Sequence, residues 1–298
     1  MRVRVSSVQF RQRPVAGFDE FAQQVRWAVQ VALDAKAQLL CFPEYLTGSL
    51  VGFTHTQRRT GVQRSAEPSG DPLEAWDVWT EPYIQLFQRL AKTSGMYIVG
   101  GTHLVRSEGV WYNTAHLFTP SGEVHTQSKL HLTPYEMEPW ALATGDTIQV
   151  FETPIGRLAI LICFDVEFPE AARAAVDAGA QILLCPSATD DRAGFWRVRH
   201  CCMARAVENQ VYVVHSALVG NLPTLPGLEQ SYGRSAIISP CDIPFPPDGI
   251  VAEGEWNQEL VITGDVDLQL LEAVRSQGSV TPALCRRTSY QAIVTPLF

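Results

Sequence analysis

Apolar and polar side chains follow two different spacings along this chain. From residue 3 to residue 10 they alternate, which is typical of a half-buried β-strand. Between Phe18 and Ala32 the apolar residues recur at the spacing of an amphipathic helix, and 39–42 is a short apolar run of the kind found in buried strands. The pattern therefore predicts a strand, a helix and a second strand.

The same succession continues to residue 266 without a low-complexity linker. Further strands are predicted at 97–101, 110–118, 123–127, 158–162, 181–185, 211–215, 235–239 and 259–266. Helices are predicted at 71–94, 169–178 and 194–209. Strands that alternate with helices are typical of an α/β sheet architecture, and no break in composition indicates a second domain.

Two segments lack a clear spacing. Residues 48–71 are rich in Gly, Thr, Arg and Ser, and predict a long loop beside the end of the second strand. Residues 276–298 form a C-terminal tail with little periodicity, so the single domain is placed at 1–275.

A charged or nucleophilic residue stands at the end of each of three predicted strands. These residues are Glu44, Lys129 and Cys163. Each has an ordinary interpretation: a solvated loop acid, a lysine lying along the surface, and a buried cysteine packed as a small hydrophobe. Cys163 also precedes a helical pattern, whose unpaired N–H groups favour the thiolate over the thiol. The occurrence of all three in one chain favours a catalytic interpretation.

The residues around these positions resemble the Glu–Lys–Cys motifs of the nitrilase, or carbon–nitrogen hydrolase, superfamily. The matching segments are 42–44 (Phe-Pro-Glu), 129–132 (Lys-Leu-His-Leu), 163–170 (Cys-Phe-Asp-Val-Glu-Phe-Pro-Glu) and 204–210 (Ala-Arg-Ala-Val-Glu-Asn-Gln). The resemblance covers nearly the whole chain. It implies a four-layer α-β-β-α sandwich, a homodimer or larger homo-oligomer, and a tail that packs against another subunit.

The resemblance also implies a division of roles. Cys163 is expected to be the nucleophile, and Glu44 the base that accepts its proton and later protonates the leaving amine. Lys129 and the peptide N–H of Phe164 are expected to stabilise the developing oxyanion. The second glutamate of the family, which helps to position substrate, is best matched by Glu136.

Further residues are expected to line the pocket, although each could equally belong to a turn or to the core. They are Tyr45, Glu138 (the alternative to Glu136), Ser187, Ala188, Thr189 and the segment 111–113.

The expected substrate is a small linear amide, because the Phe-Asp after Cys163 resembles the amidase branches more than the nitrilase branch. Many ω-amidase-like relatives carry arginine where this chain has Glu167. With Glu136, Glu138 and Asp165, this glutamate predicts an acidic mouth and a neutral or cationic substrate. A nitrile or N-carbamoyl substrate, an acyltransferase with the same triad, and a catalytically silent scaffold remain alternatives.

Composition narrows the classes of partner. Hydrophobic residues make up 46% of the 298 residues and charged residues 18%, enough for a large core, while the apolar runs are far too short for a membrane span. The net charge of −8 argues against nucleic acid or an anionic membrane as a partner. No metal-ligand spacing, phosphate loop or dinucleotide fingerprint is present, so no metal or cofactor is expected. Seven cysteines and an N-terminus without signal-peptide features predict a cytoplasmic protein.

Overall fold

Strands and helices alternate through residues 1–60 and 73–286, the part of the chain that the computed structural model describes. The strands are β1 (Arg2–Gln12), β2 (Leu39–Cys41), β3 (Tyr97–Ser107), β4 (Val110–Phe118), β5 (Val124–Ser128), β6 (Val150–Thr153), β7 (Gly156–Ile160), β8 (Ile182–Ser187), β9 (Tyr212–Asn221), β10 (Gln230–Ser231), β11 (Ala236–Ile238), β12 (Ile250–Glu253) and β13 (Leu260–Asp267). The helices are α1 (Phe18–Asp34), α2 (Gly48–Thr60), α3 (Glu74–Ser94), α4 (Pro134–Met137), α5 (Pro169–Asp177), α6 (Arg192–Asn209), α7 (Leu268–Gln277) and α8 (Pro282–Cys285), with a 3-10 helix at Cys163–Glu167.

The strands form two sheets joined at one edge. One sheet has the order β5-β4-β3-β2-β1-β13, and the other has the order β6-β7-β8-β9-β11-β12. The end of β1 runs parallel to the end of β9, where Phe10 is paired with Leu218, and this links the two sheets. Parallel pairing of β1 with β2, and of β8 with β7 and β9, places several strand ends on the same side of the molecule.

Alternate residues of the buried strands face different layers. In β2, Leu39 and Cys41 belong to the core that contains the second sheet, whereas Leu40 packs with α1 and α3. Phe42, just after β2, makes an edge-to-face contact with Phe87 of α3 at 5.2 Å between ring centroids. Helices α5 and α6 cover the other sheet through small buried residues such as Ala172. The layers are therefore helix, sheet, sheet and helix, and the predicted four-layer sandwich is confirmed.

The predicted loop at 48–71 is wrong in its first part, because 48–60 form α2. Its glycines argued against a helix because glycine has a low helix propensity. In the structure, however, they allow α2 to pack closely against residues that precede β10. A Cβ at Gly48 or Gly52 would lie 3.3 Å from Leu225 or 2.7 Å from Thr224. Residues 61–71 of the predicted loop, and the predicted helix start at 71–72, lie outside the described residues.

The first part of the tail is helical, contrary to the prediction of little periodicity. Helix α7 continues to Gln277 and α8 follows it, while the Arg275 guanidinium donates to the Gln210 carbonyl at 2.8 Å. Arg286 forms an ion pair with Asp177. Residues 275–286 thus pack against their own chain, and 287–298 lie outside the described residues, so the subunit contact stays a prediction.

No helix among the described residues is both long enough and apolar enough to cross a membrane. The seven cysteines all lie in this part of the chain and are free thiols.

A bulge in β3 holds the segment that follows β2. The register between β3 and β4 shifts between Val99 and Thr102, and Gly101 within it has φ 70°. The Thr102 N–H donates to the Pro43 carbonyl at 3.3 Å, and the Thr102 hydroxyl accepts the Tyr45 N–H at 2.9 Å. The bulge therefore fixes the backbone on both sides of residue 44.

We expect Gly101→Ala to destabilise the protein far more than the control Gly109→Ala. Both glycines have positive φ, which costs an alanine about 1–2 kcal/mol. A Cβ at Gly101 would also overlap the Pro43 carbonyl oxygen, whereas one at Gly109 meets no atom within 4 Å. The overlap should cost roughly a further 1–3 kcal/mol in the free energy of unfolding measured by urea denaturation. Equal losses in the two variants would show that the close approach at Gly101 is unimportant.

Candidate active site

Three charged side chains meet in the interior where β2 and β5 end. Lys129 Nζ donates to Glu44 Oε1 at 2.8 Å, and to Glu136 Oε1 and Oε2 at 2.9 Å. The exposed fractions of the side chains are 1% for Glu44, 2% for Lys129 and 3% for Glu136. Buried charges are stable only when they are paired and hydrogen-bonded, so this cluster depends on all of its members.

Backbone contacts set the position of Lys129. Its N–H donates to the Asn113 carbonyl of β4 at 2.8 Å, and its own carbonyl accepts the Gly145 N–H at 2.7 Å. The lysine is therefore held as an extension of β5 against its neighbouring strand, with its side chain directed into the protein.

Cys163 occupies a left-handed backbone conformation at the first position of the 3-10 helix, with φ 47°. Such a conformation is unfavourable for a residue with a Cβ, and it occurs where the surrounding structure enforces a particular side-chain direction. The thiol is 3.6 Å from the Ala188 carbonyl oxygen, just after β8. The buried carboxylate of Glu44 accepts the Ala188 N–H at 3.0 Å, so one residue contacts both Cys163 and Glu44.

Asp165 links the lysine segment to the cysteine segment. Its carboxylate accepts the N–H groups of Leu130 at 3.1 Å, His131 at 2.8 Å and Ile162 at 3.1 Å. The His131 ring lies 3.0 Å from the same carboxylate and stacks on Phe168 at 3.7 Å between ring centroids. Because Asp165 is fully buried, the predicted place for it in an acidic mouth is wrong.

The carboxylate of Glu136 is saturated with donors. It accepts the Thr133 N–H at 2.8 Å and the Thr133 hydroxyl at 2.9 Å, in a capping box that begins α4. The Tyr45 hydroxyl and the Asn113 amide also donate to it, in addition to Lys129. With its lone pairs engaged in this way, Glu136 is suited to holding Lys129 in place rather than to moving a proton.

Burial acts against the thiolate form that the sequence pattern around Cys163 favours. Burial raises the pKa of Cys163 well above that of a free cysteine, and the negative charge of Glu44 raises it further. Lys129 acts in the opposite direction without reversing the shift.

The two carboxylates have opposite pKa shifts. Burial raises the pKa of Glu44 above the usual glutamate value, despite the nearby Lys129. Burial alone would also raise the pKa of Glu136, but Lys129 and the donors from Tyr45, Thr133 and Asn113 bring it below the usual value. The pKa of Lys129 is raised, because the charges of the two carboxylates outweigh its burial. Glu44 is therefore the carboxylate able to take up a proton.

A cavity of about 990 Å³ opens onto Glu44, Lys129 and Glu136. Cys163 is buried just behind this wall, between its chain neighbour Phe164 and Ala188, which both line the cavity. Predicted site residues on its wall are Glu44, Tyr45, Lys129, Glu136, Glu138, Phe164, Ala188 and Thr189. Ser187 does not line it, because this last residue of β8 is buried and its hydroxyl donates to the Cys185 carbonyl at 3.3 Å. Its predicted contact with the pocket is therefore wrong.

The segment 111–113 is divided between three environments. Trp111 packs in the core beneath the helices, and Tyr112 lines a separate cavity on the far side of β4. Only Asn113 reaches the charged cluster, where its amide nitrogen donates to Glu44 at 2.9 Å and to Glu136 at 2.9 Å. Alternation along a strand identifies which of three neighbours share a face, but not which face meets the site.

The rim of the cavity contains charges that the sequence did not reveal. Asp190, Arg197 and Glu229 lie there together with the predicted Glu138. Glu167 is absent from the described lining and lies 3.7 Å from the Arg197 guanidinium. The acidic rim thus includes Glu138 as predicted, but Asp190 before α6 and Glu229 before β10 take the places predicted for Asp165 and Glu167.

Comparison with known proteins places these observations in a family. Residues 4–276 match the family described as carbon-nitrogen hydrolase. The chain is 43% identical over 286 residues to the Bacillus subtilis protein named "Probable hydrolase YhcX", covering 96% of this chain but only 54% of that protein. It is 31% identical over 212 residues to the omega-amidase NIT2 of Danio rerio, covering 66% of this chain and 70% of the relative.

A solved structure has the same fold. The structure is that of a mutant of the amidase from Nesterenkonia sp. AN1, described as showing the result of Michael addition of acrylamide at the active-site cysteine. The match covers 92% of this chain and 97% of that chain, with a TM-score of 0.66 and 24% identity. The chain spans about half the length of YhcX and most of the NIT2 relative. The resemblance based on the Glu, Lys and Cys motifs is confirmed, and this chain belongs to the carbon–nitrogen hydrolase family.

Proposed function

We propose that this chain hydrolyses the carbon–nitrogen bond of a small linear amide through a thioester on Cys163. The observation that carries this proposal is a geometry at the wall of an open cavity, where Ala188 contacts both groups. Its carbonyl oxygen lies 3.6 Å from the buried Cys163 thiol, and its N–H donates at 3.0 Å to Glu44. A thiol needs a base when it attacks, and burial raises the pKa of both Cys163 and Glu44, which favours a protonated thiol beside a carboxylate of increased basicity.

In the first half of the reaction the thiol attacks the amide carbon. The proton of Cys163 passes to Glu44 as the sulfur–carbon bond forms, and the negative charge moves to the amide oxygen. Lys129 and the Phe164 N–H are the proposed donors to this oxygen. Glu44 then gives the proton to the nitrogen, the carbon–nitrogen bond breaks, and ammonia or an amine leaves.

In the second half, water attacks the thioester carbon while Glu44 accepts one of its protons. The carbon–sulfur bond breaks, the proton returns to the Cys163 sulfur, and a carboxylic acid is released. The names of the omega-amidase relative and of the amidase with a modified cysteine support this assignment of reaction and nucleophile.

The charge of the rim favours a neutral or cationic amide. Glu138, Asp190 and Glu229 are exposed carboxylates facing one guanidinium, that of Arg197. The buried cluster adds two carboxylates against one lysine. A cationic substrate is attracted by this potential, whereas an anionic one is repelled.

Intact-mass spectrometry after brief incubation with amides, nitriles and N-carbamoyl compounds tests the reaction. We expect an acyl adduct on the parent protein that decays with release of ammonia or amine, and no adduct on Cys163→Ala. Turnover by Cys163→Ala would contradict the proposed nucleophile. Decay only after addition of hydroxylamine, with none in water, would indicate an acyltransferase instead.

We expect Glu44→Gln to slow alkylation of Cys163 by iodoacetamide at pH 7 by about 100-fold, because the thiol loses its base. The alkylation rate of the parent should fall as the pH drops through the raised pKa of Glu44, since only the ionised carboxylate accepts a proton. Glu44→Gln should lack this acid limb, that is, the fall in alkylation rate at low pH. Glu152→Gln, on the exposed edge strand β6, is the matched control, and equal rates in Glu44→Gln and parent would contradict the base assignment.

Substrate charge is tested with a cationic, a neutral and an anionic amide of similar size. We expect kcat/KM to be highest for the cationic amide and to fall up to about fivefold in Glu138→Gln, because exposed charges contribute at most about 1 kcal/mol. Arg197→Gln should have the opposite effect, with the neutral amide unchanged in both variants. Faster turnover of an anionic amide such as succinamate by the parent would contradict this substrate class.

A further inference from the structure

Asn113 contacts every charged member of the buried cluster. Its amide nitrogen donates to Glu44 Oε1 at 2.9 Å and to Glu136 Oε1 at 2.9 Å. Its backbone carbonyl accepts the Lys129 N–H at 2.8 Å. The side chain is fully buried in the middle of the site, on β4, a strand that carries none of the proposed catalytic residues.

The two carboxylate oxygens that share this amide also share Lys129 Nζ. Their negative charges are therefore adjacent, and one lysine offsets only one of them. An amide has no charge and does not titrate in this range, so it donates to both oxygens without altering the charge balance. Hydrogen bonds to an ionised carboxylate stabilise that form, which is the form of Glu44 that accepts a proton.

The orientation of the amide is costly for a residue that serves only packing. Its oxygen, Oδ1, is buried and has no hydrogen-bond partner among the described residues. A buried acceptor without a partner is unfavourable, and an apolar side chain of similar size would avoid that cost. The contacts of the nitrogen with the two glutamates are what the structure gains from this arrangement.

Other ionisable groups also act on Glu44. They are Lys129 and Glu136 within the cluster, Cys163 on the 3-10 helix, Tyr45 beside it in the chain, and Cys185 on β8. The asparagine differs from all of them, because it contributes a hydrogen bond without a titration of its own.

We propose that Asn113 is a positioning residue that keeps Glu44 ionised and aligned to accept the proton of Cys163. This inference rests on the proposed function, in which Glu44 is the base. Asn113 itself touches neither the nucleophile nor the substrate in this role, and it acts through the carboxylate.

The pH dependence of Cys163 alkylation by iodoacetamide tests the inference without knowledge of the substrate. In Asn113→Leu, which keeps the size of the side chain and removes the donor, the acid limb should move to higher pH by about one to two units. Alkylation at the pH of the parent's limb should fall about tenfold or more, and recover as the pH is raised. Asn113→Ser, which is smaller, should shift the limb in the same direction if Asn113→Leu does not fold.

Tyr112→Phe is the matched control, because Tyr112 is the preceding residue of β4 and faces the separate cavity. It should keep the limb of the parent. Urea denaturation of each variant separates a loss of folded protein from a shift in the limb.

The outcomes distinguish the two proposals. If Glu44→Gln slows alkylation but both Asn113 variants keep the parent's limb, or lose rate equally at every pH, the role of Asn113 is overturned. If Glu44→Gln itself leaves alkylation unchanged, the base assignment fails, and the role of Asn113 fails with it.

Discussion

The buried ion cluster of Lys129 with Glu44 and Glu136 is the interaction on which the rest of the site depends. Three charges removed from water are stable only if each has partners, and here the partners come from several separate segments. Each partner therefore fixes a loop as well as a charge. Thr133 orients α4, Ala188 orients the end of β8, and Asn113 connects the cluster to β4.

Two further constraints keep the cluster aligned with Cys163. Asp165 gathers backbone N–H groups from the lysine and cysteine segments, so these two segments form one unit. The bulge at Gly101 holds the residues on either side of Glu44. Both constraints act on backbone rather than on side chains, which suits a site that needs distances fixed to a fraction of an ångström.

The electrostatics of the site explain why a carboxylate and a thiol are combined. Burial and the nearby negative charge of Glu44 raise the pKa of Cys163, and a protonated thiol is a poor nucleophile. Burial also raises the pKa of Glu44, which makes it a stronger base than a glutamate in water. Glu136 lies beside it with a lowered pKa, because its oxygens are saturated with donors. Two chemically identical side chains thus have opposite pKa shifts through their surroundings alone.

Much of this protein was determined by sequence. The alternation of strands and helices predicted the α/β architecture, and the residues Glu44, Lys129 and Cys163 at strand ends pointed to the family, because motifs and periodicity are local properties. Tertiary structure decided the rest. Helix α2 was not predicted because its glycines are unfavourable in helices, yet these glycines allow it to pack closely against a distant segment of the chain. Neighbours far away in the chain decide the raised pKa of Cys163, the burial of Ser187 and the two side-chain contacts of Asn113. They also decide which charged residues lie at the rim of the cavity. Burial and pairing of charge are properties of the assembled sandwich, and no local stretch of sequence contains them.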